Sequence, residues 1–84
     1  DKLSMEQLAT VVSNAGSKLG QLMKYIWSKA SLSQMARMFN AATARIGDML
    51  SWFWDNVSLS VSDWWDFLKM LTGAAYDYLY DLLA

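Results

Sequence analysis

A chain of 84 residues holds a single core of ordinary size, so residues 1–84 read as one helical domain. Its composition, 55% hydrophobic and 18% charged, excludes intrinsic disorder and implies more apolar surface than one small core absorbs. A net charge of −1 lacks the basic field that nucleic acid requires, and the absence of Cys and His removes disulfide and zinc frameworks and thiolate or imidazole chemistry, so neither catalysis nor a cofactor is expected.

With no proline and four glycines, the chain is expected to form long helices joined by short turns. The first spans 4–29. The Ser4 hydroxyl is placed to accept from the amide of Gln7 as a capping box, with Leu3 and Leu8 as a hydrophobic staple. Met5, Leu8, Val12, Ala15, Leu19, Leu22 and Ile26 then recur at alternating spacings of three and four, the seam of a packed helix. Thr10, Asn14, Ser17, Gln21, Lys24 and Ser28 make the opposite, polar face.

The second helix spans 32–56, opened by Ser31 with Gln34 and carrying the seam Met35, Phe39, Ala42, Ile46, Met49 and Phe53. The third spans 60–83, opened by Ser60 with Asp63 and a Leu59–Trp64 staple, and its seam is Val61, Trp64, Leu68, Leu71, Ala75, Tyr78 and Leu82. The turns Ala30-Ser31 and Val57-Ser58-Leu59 are too short for anything except antiparallel neighbours. The expected fold is therefore all-α: a three-helix, up-down-up antiparallel bundle with heptad-like packing.

Gly16, Gly20, Gly47 and Gly73 fall inside these helices, where each costs on the order of 1 kcal/mol relative to alanine, so close helix approach is the expected compensation. Lys18–Trp27 also lines up with Arg45–Trp54 at an offset of 27 residues, and Gly73–Tyr80 follows more weakly at 26. In each copy a glycine is followed by aromatics, as in a repeat architecture or in similar helices packed in similar surroundings.

Asp63, Asp66, Asp77 and Asp81 sit about one turn apart in pairs, the spacing of a cation site, but they lie opposite the apolar seam where solvated carboxylates belong. No metal is assigned to them. Four Lys against Asp1 and Glu6 leave residues 1–29 at +2, and four Asp against Lys69 leave residues 58–84 at −3. The first and last helices should attract each other, and in a stack of subunits Lys18, Lys24 and Lys29 of one copy should meet the four aspartates of the next.

Trp27, Trp52, Trp54, Trp65, Phe67, Tyr76 and Tyr80 fall outside the seams and form the candidate interface. In an up-down-up bundle Trp52, Phe53, Trp54, Trp64 and Trp65 gather at one end and Tyr25, Trp27, Tyr76 and Tyr80 at the other. These would be two aromatic belts roughly a bilayer apart, on helices about 37 Å long. The expected function is a non-enzymatic assembly subunit that self-associates as a homo-oligomer, shell or filament through surplus aromatic and Met surface, or docks on a cognate helical protein. The alternative is a membrane-active amphipathic helical peptide, a pore former or bacteriocin-like toxin with a lipid membrane as partner. Against it, the most aromatic third is also the most acidic. A de novo designed bundle without biological function would share the even helix lengths and capped starts, but its usual wealth of Glu and Lys is missing.

Overall fold

Ser4, Ser31 and Ser60 each start a helix in the way their side chains predict. In the computed structural model, which describes residues 4–84, all three adopt extended backbone and accept from the amides of Gln7, Gln34 and Asp63. The first two form full capping boxes with the glutamine side chain reaching back. The Leu3 half of the first staple lies outside the described residues.

The described residues form six α-helices: α1 (Met5–Ser13), α2 (Leu19–Trp27), α3 (Leu32–Ala41), α4 (Ile46–Asn56), α5 (Val61–Lys69) and α6 (Gly73–Leu83), with a 3-10 turn at Gly16–Lys18 ahead of α2. Among the described residues there is no strand, so the all-α class stands. The three continuous helices expected over 4–29, 32–56 and 60–83 do not form, because each is broken near its middle. The breaks fall on Gly16 (φ 61°), Arg45 (φ 61°) and Gly73 (φ 57°), which among the described residues are those with positive φ. A left-handed residue stops a right-handed helix, and for a residue with a Cβ it costs about 1–2 kcal/mol. Glycine at 16 and 73 avoids that cost, so these two glycines mark turns, and nothing in the chain lies within 4 Å of where a Cβ would sit on either.

At the second and third breaks the chain turns back on itself. The rings of Phe39 in α3 and Phe53 in α4 lie 5.4 Å apart, although a continuous helix would separate them by about 21 Å along its axis. Trp65 in α5 and Tyr80 in α6 lie 6.3 Å apart, against about 22 Å in a continuous helix. The three thirds are thus three helix pairs, stacked in chain order. α1 packs on α3, and α3 on α5 and α6; α2 packs on α4, and α4 on α6. A bundle in which every helix touches both others is therefore replaced by a row, with the middle third between the first and the last.

Side-chain ties between elements fix the turns. Arg45 donates from Nη1 to the Gly16 carbonyl at 2.9 Å, and the Ser13 hydroxyl shares its one proton between the Ala9 carbonyl of its own helix at 2.7 Å and the Ala44 carbonyl at 3.1 Å. Asn40 clamps the third turn with both ends of its amide, donating to the Met70 carbonyl and accepting from the Thr72 amide, each at 2.9 Å. The Asn40 bonds satisfy a carbonyl and an amide that the interrupted helices leave without a helical partner, and Arg45 adds a second donor to the Gly16 carbonyl, which also accepts from the Leu19 amide.

The core beneath is built from Phe39, Phe53, Phe67, Met23, Met35, Met38, Met49, Leu50 and Leu79, all fully buried. Fully burying a side chain of this size contributes about 1.5–3 kcal/mol. Every seam residue is buried or half-buried with one exception, Val61, which opens α5 and is 71% exposed.

Candidate interaction surface

Folding back redistributes the aromatics. Phe67 leaves the candidate set: it is 0% exposed, between Phe39, Phe53 and Trp64, and offers nothing to a partner. Trp27 is half-buried with its ring edge-on to Phe53 at 5.0 Å, and Trp54 packs on Trp64 at 4.8 Å. Trp52 is half-buried over Gly20. Trp65 is half-buried against Tyr80, which also stacks on Tyr76 with centroids 6.1 Å apart and planes 8° from parallel. Of the seven candidates only Tyr76 (39%) and Tyr80 (45%) are exposed.

The two aromatic belts are not present. An up-down-up bundle puts Trp27 at the opposite end from Phe53 and Trp65 at the opposite end from Tyr80; in the structure each pair is in contact. The cause is length: helices of nine to eleven residues are about 13–17 Å long, half the distance the belts required. No helix among the described residues is long and apolar enough to cross a membrane.

What remains outward is two charged faces with aromatic centres. On α6 the residues Gly73, Tyr76, Asp77, Tyr80 and Asp81 recur at helical spacing and are all exposed, with Asp66 of α5 also exposed beside the same third. On α2 and the turns that flank it, Lys18, Gln21, Tyr25 and Lys29 recur in a similar way and are all exposed, as is Lys24. Tyr25 is the most exposed aromatic at 61%, and the Lys29 ammonium lies 5.2 Å from its ring centroid, a cation–π contact. Tyr25 was not among the interface candidates. Its position opposite the buried Leu19, Met23 and Ile26 was the available signal.

No ion pair among the described residues joins the first third to the last, because the middle third separates them. The pairs present are Arg37–Glu6 between α3 and α1, Arg45–Asp48 at the start of α4, and Lys69–Asp66 within α5. Glu6 has its carboxyl held below the usual glutamate range, chiefly by hydrogen bonding to its own backbone amide at the helix start and further by the Arg37 guanidinium. Its small contribution to stability is present above the ordinary glutamate value and is lost as pH falls through the lowered one. The four aspartates are exposed, and no group of three metal-ligating side chains forms among the described residues.

The second helices of the three pairs are joined by a repeated contact. Trp52 of α4 covers Gly20 of α2, where an added Cβ would lie 3.5 Å from the indole. Tyr78 of α6 covers Gly47 of α4, where a Cβ would lie 3.1 Å from the ring, and the Tyr78 hydroxyl is held by Ser51 at 2.7 Å. The two sites should therefore respond differently to a methyl group. Gly20→Ala is expected to raise stability by about 0.5–1 kcal/mol, since it gains helix propensity at an ordinary contact distance. Gly47→Ala pushes on a tethered ring and is expected to lower stability, by up to about 2 kcal/mol. Urea titrations of both variants check this; equal stabilisation would show that the Tyr78 ring is free to yield.

Comparison with protein families, with curated proteins and with solved structures returns no match for this chain.

Proposed function

We propose that the protein is a non-enzymatic assembly subunit whose outer faces bind further copies of itself. The observation that carries this reading is the stacked pair Tyr76–Tyr80, exposed on an acidic α6 face, while the basic α2 face with Tyr25 lies on the other side of the middle third. Aromatic side chains supply contact area at low entropic cost, which is why Trp and Tyr are enriched at interfaces. Opposite charge on the two flanks supplies mutual attraction between copies and penalises like-charged registers. The membrane-active alternative has lost the belts that supported it, and helices of this length do not reach across a hydrocarbon core of about 30 Å.

Sedimentation velocity across a concentration series in detergent-free buffer tests the reading, with liposome leakage measured on the same sample. A defined assembly without leakage is expected. The assembly should weaken as sodium chloride shortens the Debye length below about 8 Å, because the complementary flanks are solvent-exposed. A monomer at every concentration overturns the proposal, and leakage at the same dose selects the membrane reading. Assembly that strengthens at high salt would leave the aromatics as the sole driving force.

A further inference from the structure

The contact between second helices has a repeating rule that breaks off at both ends of the row. In α2, α4 and α6 a glycine is followed five residues later by an aromatic: Gly20 and Tyr25, Gly47 and Trp52, Gly73 and Tyr78. Five residues on a helix amount to about 140° of rotation, so glycine and ring face different neighbours. Each ring covers the glycine of the preceding helix: Trp52 lies over Gly20 and Tyr78 over Gly47. Two members of the series have no counterpart in the chain. Nothing lies within 4 Å of the position a Cβ would take on Gly73, and Tyr25 is 61% exposed.

The unfilled glycine and the uncovered ring sit at opposite ends of the row α2–α4–α6, and their surroundings are of opposite charge. Asp77 and Asp81 share the exposed face of Gly73, and Lys24 and Lys29 flank Tyr25. From this we infer that α6 of one copy receives α2 of the next. Tyr25 takes over Gly73 the place that Trp52 and Tyr78 hold inside the chain, and the lysines meet the aspartates. The inference rests on the self-association reading and adds direction to it. The interface is head-to-tail, so growth continues until the rotation per subunit closes a ring or, failing closure, builds a filament. Gly73 also serves the turn through its positive φ, so the test leaves that residue unchanged.

Two blocked subunits decide the matter. Tyr25→Ser removes the ring from the basic face and leaves the acidic face intact. Asp77→Arg with Asp81→Arg makes the acidic face repel the lysines and leaves Tyr25 intact. All three positions are exposed, and circular dichroism with a thermal melt verifies that each variant folds. Each variant alone is expected to remain monomeric where the wild-type chain assembles, with affinity reduced by about 30-fold or more, as for an interface hot spot. Mixed in equal amounts they should form a one-to-one dimer and nothing larger, since one working acidic face and one working basic face remain. If Tyr25→Ser assembles like the wild type, the contact is acidic face to acidic face and the inference falls. If the arginine variant does so, the contact is basic face to basic face, with the same consequence. A mixture that stays monomeric refutes the complementarity, whereas a wild-type chain that never associates refutes the self-association reading itself. Lys24→Ser with Lys29→Ser blocks the basic face by another route, so a folding defect in one variant does not decide the result.

Discussion

Phe53→Ala is expected to cost about 3–5 kcal/mol, the largest loss of any single truncation in the chain. Phe53 is fully buried in α4, and its ring is the one that joins the three thirds. It meets Trp27 of α2 edge-on at 5.0 Å, Phe39 of α3 at 5.4 Å, and Trp64 and Phe67 of α5 at 5.7 and 5.2 Å. Removing it opens a cavity touched by four aromatics that cannot all collapse inward, and it also removes aromatic pair contacts that add about 0.5–1.5 kcal/mol each. A chain of this size has a total stability of about 4–13 kcal/mol, so the variant forfeits a large share of it. The melting midpoint should fall by roughly 12–40 °C. Trp54→Ala, with its ring half-buried at the edge of the same cluster against Trp64, is the control and should lose less. Equal losses from the two would mean that the cluster is loosely packed and that no single ring organises it.

The prominence of Phe53 shows what the sequence pattern conveys and where it stops. Alternating spacings of three and four select residues that face inward, and they did so for nearly the whole seam, Val61 excepted. The serine caps fixed the starts of α1, α3 and α5. What a seam does not carry is whether the helix that bears it is continuous, because a helix pair folded back at a left-handed residue buries the same stripe. The larger core residues of the helices that the seams miss follow from this: Met23, Met38, Leu50, Phe67 and Leu79 are buried because each short helix packs against more than one neighbour. Asn14-Ala15-Gly16 and Thr72-Gly73 carry turn chemistry, which a reading by periodicity alone passes over. The glycine-aromatic alignment is visible in the sequence, but only the packing of α2, α4 and α6 shows that the aromatic of one third covers the glycine of the preceding third of the same chain.

At the second turn the sequence offers no glycine at all, and Arg45 takes the left-handed conformation with a φ of 61°. Something must offset the steric cost of about 1–2 kcal/mol, and the side chain supplies it. Its guanidinium donates to the Gly16 carbonyl at 2.9 Å, tying the first turn to the second, and its Nε–H donates to Asp48 at 3.0 Å. A hydrogen bond with a charged partner contributes about 1.5–3 kcal/mol when buried; here the side chain is 32% exposed, so the lower part of that range applies. The Asp48 pair adds little, since that carboxylate is 62% exposed. Arg45→Ala keeps the strained backbone and loses both contacts, and is expected to cost about 1–2 kcal/mol. Arg45→Gly loses the same contacts but relieves the strain, which returns about 1 kcal/mol. The order of stability should therefore be wild type, then glycine, then alanine, read from denaturant midpoints at unchanged slope. If glycine proves more stable than wild type, the strain at this turn exceeds what the guanidinium returns. The residue would then serve something other than folding, at the junction where its guanidinium meets the Gly16 turn.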